Sequence, residues 1–268
     1  MKFNKIIPVT LLSLLVIGCS NDGNDQNDEN VSNAEVEENN ENEQEVEESE
    51  ETGSYVLNSE TWSVVPADES DADSQVVLMT FDDAPDQHAV DIAETLYDHD
   101  VPAIFFVNGM YIEDEEGKEK LRDIHKMGFA IGNHTHTHPN LQTIPEDEQQ
   151  EEIVHTNDLV EEVIGERPRF FRAPFGENTD YTRQVAAEED MILMNWSYGY
   201  DWESEYQNPD ALADIMVNTE LLTDGANLLM HDRSWTSEAV EDIILGFQNK
   251  GYGFVDPDAI ESEDTDEI

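Results

Sequence analysis

The chain predicts an α/β domain: about seven parallel strands, alternating with helices and curled into a closed or nearly closed barrel. Two observations carry this. Seven short apolar runs recur between residues 76 and 255, each separated from the next by a stretch that reads as a helix. Every run is about equally apolar, as strands covered on both faces are, and that favours a barrel over an open sheet. Parallel strands joined this way require right-handed crossovers.

The elements follow in order. Val76–Phe81 reads as a buried strand, followed by a helix from Gln87 to Asp98. Ala103–Val107 is the second strand, and a helix from Glu113 to Met127 ends at Gly128. Phe129–Asn133 is the third strand. Pro145 opens a long helix to Ile164, stopped by Gly165. Arg169–Arg172 is a short strand, Thr179–Glu189 a helix and Met191–Trp196 a strand. Pro209–Leu222 is helical, with Asn208 as its cap. Asn227–Met230 is a strand, Ser237–Asn249 a helix and Tyr252–Val255 the last strand. From Asp256 onward the chain is acidic and is expected to fray.

The flanking segments read differently. Met1 to Ser20 resembles an export signal, with Lys2 and Lys5 before an apolar core from Ile6 to Ile17. The run Val16-Ile17-Gly18-Cys19 resembles the lipobox of bacterial lipoproteins, which implies cleavage after residue 18 and lipidation of Cys19. Cys19 is the only cysteine, so no intramolecular disulfide can form. Residues 21–51 hold fourteen acidic residues, no Lys or Arg and almost nothing apolar. Such a segment cannot bury enough surface to offset its ordering entropy and reads as a solvated tether. The expected organisation is therefore a signal peptide at 1–18, a tether at 19–52, an extension at 53–74, the barrel at 75–256 and an acidic tail at 257–268. The expected location is the outer face of the cell membrane, held there through the lipid alone.

Charge excludes some functions. The chain carries 64 acidic and 12 basic residues, a formal net charge of -52, and only fourteen of the acids lie in the tether. A domain this acidic is a poor partner for nucleic acid or for anionic lipid head groups. A high-salt habitat, where screening suppresses self-repulsion, would account for it.

In a parallel barrel the active site lies at the carboxyl ends of the strands, and chemistry-bearing residues stand there. His134, His136 and His138 follow the third strand, within the run His134-Thr135-His136-Thr137-His138-Pro139. Alternation would put all three on one side of an extended strand; a helical turn would bring His134 and His138 together and turn His136 away. Either way two imidazoles can converge on a divalent metal. Asp82 and Asp83 end the first strand, an adjacent pair that suits one metal ligand and one base. Arg172, scarce in kind, ends the fourth strand and suits a bidentate hold on one carboxylate. Asp201 and Trp202 follow the fifth strand, and His231 ends the sixth.

Thr80-Phe81-Asp82-Asp83, the histidine run, Arg172-Ala173-Pro174-Phe175, Asp201-Trp202 and Leu229-Met230-His231 together resemble the five motifs of the polysaccharide deacetylases. This is the NodB-homology group, carbohydrate esterase family 4. The resemblance spans residues 75–256 and implies a distorted (β/α) barrel. It further implies a hydrolase that removes N-acetyl groups from an N-acetylglucosamine-containing glycan, peptidoglycan or another surface polymer. Asp83, His134 and His138 would bind one divalent metal ion, zinc or alternatively cobalt. The catalytic set would be Asp82 as base, His231 as acid, Arg172 orienting Asp82, and Asp201 interacting with Arg172 and helping to set the protonation of the catalytic pair. Phe175 would offer its backbone N–H to the oxyanion, while Trp202 and Leu229 would line the acetyl pocket. His136 matches no ligand position. Ala84 stands where the family has Gly, and Phe175 where it commonly has Tyr. The chain is expected to act as a monomer. Two other readings compete: a non-catalytic carbohydrate-binding lipoprotein, and a hydrolase of another amide or ester such as acetylated xylan.

His88, His99, His125 and His155 are expected to be solvated helix residues. Tyr198, Tyr200, Trp202 and Tyr206 suit either a sugar platform or core packing, and Trp62 either an interaction or a packed extension.

Overall fold

The computed structural model describes residues 54–261. The signal-like segment, Cys19, the acidic tether and residues 262–268 lie outside them. The first described element is an antiparallel hairpin of β1 (Tyr55–Leu57) and β2 (Val64–Pro66). The barrel strands follow: β3 (Val76–Ala84), β4 (Ala103–Val107), β5 (Ala130–Asn133), β6 (Phe170–Phe171), β7 (Ile192–Leu193), β8 (Tyr198–Gly199), β9 (Ala226–His231) and β10 (Gly253–Phe254). Between them run α1 (Ala89–Asp98), α2 (Glu115–Lys126), α3 (Glu146–Ile164), α4 (Asp180–Glu188), α5 (Pro209–Asn218) and α6 (Ser234–Asn249).

The strands pair in parallel in the order β7-β6-β5-β4-β3-β9-β8, and β10 pairs with the start of β3 ahead of β4. No pairing joins β7 to β8, so the barrel stays open on that side. The sequence reading missed β8 and the hairpin. Tyr198–Gly199 was lost in an aromatic and polar stretch, and strands of two or three residues leave no periodicity to detect. Met191–Trp196 shrinks to Ile192–Leu193 because only those residues find a neighbouring strand.

Alternation along β3 sorts its side chains into two worlds. Val77, Met79 and Phe81 face outward and pack with α1, α5 and α6 residues such as Ile92, Leu212 and Ile243. Val76 and Leu78 face inward with Ile104, Phe106, Phe170 and Met194. The hairpin closes the floor of the barrel, as Tyr55, Leu57 and Val64 join this inner cluster. Trp62 packs at its edge, so the extension is part of the core. The tail also packs sooner than expected: Pro257–Ala259 forms a 3₁₀ turn, and buried Ile260 bridges to Tyr55.

Local signals act as predicted at the helix ends. Asn208 caps α5 by accepting from the Ala211 N–H, and Pro209 takes the first turn. Gly165 ends α3 with φ 89°, a left-handed value that costs glycine little. Among the described residues no helix is long and apolar enough to cross a membrane.

Candidate active site and metal centre

The two adjacent aspartates pose a geometric problem, because neighbouring strand residues point to opposite faces. β3 solves it with a bulge. Phe81 pairs with Phe105 and Ala84 with Val107, so β3 carries one residue more than β4 across this step. Asp83 sits in the bulge at φ 62°, and both carboxylates turn into the mouth.

The histidine run is neither strand nor helical turn. Thr135 and His138 take positive φ values of 66° and 60°, which a non-glycine residue adopts only where surrounding contacts hold it. The result brings the His134 and His138 rings to 5.0 Å between centroids. His138 Nε2 lies 3.6 Å from Asp83 Oδ1, and His134 Nε2 lies 3.5 Å from Asp82 Oδ2. His136 points elsewhere, to Glu113 at 3.1 Å and the ring of His155.

Asp83, His134 and His138 each offer a ligand atom, and these atoms lie within 4.8 Å of one another. The donor set suits a divalent cation: two imidazoles and one carboxylate leave coordination positions for water and substrate. The tautomer of His134 fits too. Its Nδ1 lies 2.7 Å from the Arg172 carbonyl, which can only accept, so Nδ1 carries the proton and Nε2 has its lone pair free. Burial pulls the His134 pKa down, only partly opposed by Asp82 and Asp83, which keeps the ring neutral as a ligand must be. Burial alone would raise the Asp83 pKa. Interactions with His134, His231, His138 and Arg233 outweigh it and hold the carboxyl below its ordinary range.

Arg172 lies fully inside the barrel, with its Cζ over the Phe106 ring at 4.2 Å from the centroid. Its Nη1 donates to Asp82 Oδ1 and to Thr80 Oγ1, both at 2.7 Å, and its Nη2 donates to the Asn195 carbonyl and Asn227 Oδ1. The expected bidentate hold is therefore a single bond to Asp82, because the second arm spans the open seam toward β7 and β9. Asp82 Oδ2 is left facing His134.

β9 lies beside β3 in register, with His231 directly opposite Asp82. Asp201 does not touch Arg172, contrary to expectation. Both Nη atoms of Arg172 are bonded elsewhere, and Asp201 instead accepts from His231 Nδ1 at 2.7 Å. Its other oxygen takes the His231 backbone N–H and the Thr236 hydroxyl. Burial lowers the His231 pKa, but the charge and hydrogen bond of Asp201, with Asp82 and Asp83 behind, raise it overall.

Two exposed aromatic side chains stand over the mouth. The Phe175 ring meets His138 edge-on at 4.9 Å, and Trp202 meets His231 at 5.7 Å. Phe175 has φ 60° in a 3₁₀ turn, Pro174–Gly176; Pro174 has no N–H and the Gly176 N–H is held by the Ala173 carbonyl, so the Phe175 N–H is the turn's opening donor. Trp202 and buried Leu229 flank Gly199, where a Cβ would strike both. The sugar-platform option narrows to Trp202: Tyr198 is buried with its hydroxyl on the Met216 carbonyl, and Tyr200 and Tyr206 pack on the outer core. His88, His99 and His125 are part-exposed and His155 exposed, on helices or their ends.

Three contributors escaped the sequence reading. Arg233 Nη2 donates to Asp83 Oδ2 at 2.7 Å. Asp232 accepts the Gln87 and His88 backbone N–H groups, tying the β9 loop to the start of α1. Asn227 links Arg172 to Asn195 across the seam. Only Arg233 left a signal, as a rare cation two residues from His231.

Residues 69–193 match the profile of the polysaccharide deacetylases. The chain belongs to this family. It is 32% identical over 192 residues to a peptidoglycan-N-acetylglucosamine deacetylase of Bacillus cereus, covering 67% of this chain and 66% of that one. The structure is similar to peptidoglycan deacetylase PdaC of Bacillus subtilis, with TM-score 0.62, 29% identity and coverage of 70% and 91%. It is equally similar to a CE4 family pseudoenzyme from Bacillus anthracis: TM-score 0.62, 29% identity, coverage 69% and 64%. The chain spans 66%, 48% and 40% of the length of three curated relatives. The seven-stranded path with its outer helices is the distorted (β/α) barrel of this family.

Proposed function

We propose that this domain is a metal-dependent deacetylase that removes N-acetyl groups from an N-acetylglucosamine-containing polysaccharide, with peptidoglycan the foremost candidate. One observation carries the reading: a metal-type trio shares a single mouth with a carboxylate and an imidazole, each set by a partner of its own. Family membership alone would not suffice, since a similar structure is described as a pseudoenzyme. Deacetylases of peptidoglycan among the relatives support the substrate class.

A divalent cation held by Asp83, His134 and His138, zinc or else cobalt, would polarise the acetyl carbonyl and bring the pKa of a water toward about 7. Asp82 takes the proton of the attacking water through Oδ2, since Arg172 occupies Oδ1. The Phe175 N–H faces the developing oxyanion. His231 gives Nδ1–H to Asp201, which leaves Nε2 to protonate the departing amine. Trp202 and Leu229 shape the acetyl pocket. The products are acetate and a free amino sugar.

We extend the proposal to location. The charged start, short apolar core and Gly18-Cys19 support export and anchoring of a monomer to the outer face of the membrane through Cys19. The chain's acidity is consistent with activity that persists or rises in molar salt.

The test is acetate release from peptidoglycan, chitin oligomers and acetylated xylan by the metal-loaded chain, across salt concentration. Release from the N-acetylglucosamine polymers is expected. Release from acetylated xylan alone would redirect the reading to ester hydrolysis, and glycan binding without acetate would make the chain a binding protein. Asp82→Asn should lower kcat by about 100- to 10,000-fold while the metal stays bound. Loss of metal in that variant would assign the ligand role to Asp82 instead of Asp83.

A further inference from the structure

The two oxygens of Asp83 have different neighbours. Oδ1 faces His138 Nε2 at 3.6 Å, on the side where His134 also presents its free nitrogen. Oδ2 accepts from Arg233 Nη2 at 2.7 Å. Arg233 is itself braced, because its Nη1 donates to the Asp232 carbonyl at 2.8 Å while the Asp232 side chain fixes the start of α1. Its guanidinium is thus placed by the segment that directly follows His231 at the end of β9. It reaches across the mouth to a residue 150 positions away.

We propose that Arg233 is a positioning residue that restricts Asp83 to a single ligand oxygen, keeping a coordination position open for the substrate carbonyl. This rests on the metal reading above. A carboxylate can bind a cation through one oxygen or both. A guanidinium on Oδ2 blocks the second mode, and its positive charge withdraws negative charge from the carboxylate. Arg233 therefore opposes tight metal binding and favours an open site. The arrangement trades affinity for reactivity, which a purely structural brace would not do.

The consequence is that affinity and turnover move in opposite directions when Arg233 is removed. In Arg233→Ala, the dissociation constant for Zn²⁺, read by chelator competition, should fall by about tenfold, a change of the size usual for groups contacting a metal ligand but opposite in direction, because the group removed is a competing cation. The visible spectrum of the Co²⁺-loaded variant should weaken and shift, as coordination number rises when Asp83 binds through both oxygens. Acetate release should drop through kcat rather than KM. Arg233→Gln, which keeps a donor on Oδ2 without the charge, should retain the wild-type Co²⁺ spectrum and guards against misfolding of the alanine variant. Weaker zinc binding in a folded Arg233→Ala chain, or an unchanged dissociation constant and spectrum, would overturn the proposal. Asp83→Asn separates the two readings. If the wild type binds no cation, or Asp83→Asn binds as well as the wild type, the metal reading itself falls and takes this inference with it. If both behave as expected and Arg233→Ala does not, only the role of Arg233 is lost.

Discussion

The floor and the mouth of the barrel are built from the same inward rows of the same strands, yet they do opposite work. On β3 the inward residues run Val76, Leu78, Thr80, Asp82; on β9 they run Asn227, Leu229, His231. At the floor, apolar side chains from β3, β4 and β6 meet the hairpin and need nothing but volume. Two residues further along, the row turns polar, and every buried polar group must find a partner. Arg172 marks the boundary, with Phe106 under its face and Thr80, Asp82, Asn195 and Asn227 around its edge. The lower half stabilises a shape; the upper half spends that rigidity on holding charges in fixed positions.

Arg172→Ala should break this division most severely, because it removes the residue that belongs to both halves. It leaves Asp82 buried without its cation, and such breaks cost about 3–5 kcal/mol. Denaturant unfolding should show that loss, and acetate release should fall with it; a variant of unchanged stability would mean that Asp82 finds another partner.

Leu78→Ala tests the floor alone. Loss of a fully buried leucine should cost about 2–5 kcal/mol in unfolding free energy. At a temperature where the chain stays folded, KM and kcat should be close to wild type. A large change in kcat would show that the floor is coupled to the chemistry.

Asp201→Asn should give the smallest and most specific effect. His231 as general acid must be protonated, so the rate falls as pH rises through its pKa. Asp201 raises that pKa against the opposing pull of burial, which places the alkaline limb at higher pH. Without the charge, the limb should move to lower pH in the kcat/KM profile, measured at a temperature where the variant stays folded. A limb that stays in place would detach it from His231.

Much of this was legible in the chain. Strands β3, β4 and β9 announced themselves as apolar runs, and the motif residues lie at or just past the carboxyl ends of β3, β5, β6, β8 and β9, because parallel strands all present those ends to one rim. The helix stops at Gly128 and Gly165 and the Asn208 cap follow from backbone chemistry that acts within a few residues. The five motifs named the residues of the mouth and set Arg172 beside Asp82, but they did not set Asp201 beside His231.

The tertiary structure decided the rest. Whether Asp201 would meet Arg172 or His231 depends on which side of the open seam each element falls, and strands as short as β7 and β8 carry no pattern that reveals it. The bulge that turns Asp83 inward needs the β4 register, and the φ values of Asp83 and His138 exist only because neighbouring elements enforce them. Arg233 reaches Asp83 from 150 residues away, a contact that local sequence cannot encode. Composition and periodicity fix which residues can be buried or paired, since those act locally; which carboxylate meets which cation is set by three-dimensional distance, and only the folded chain supplies it.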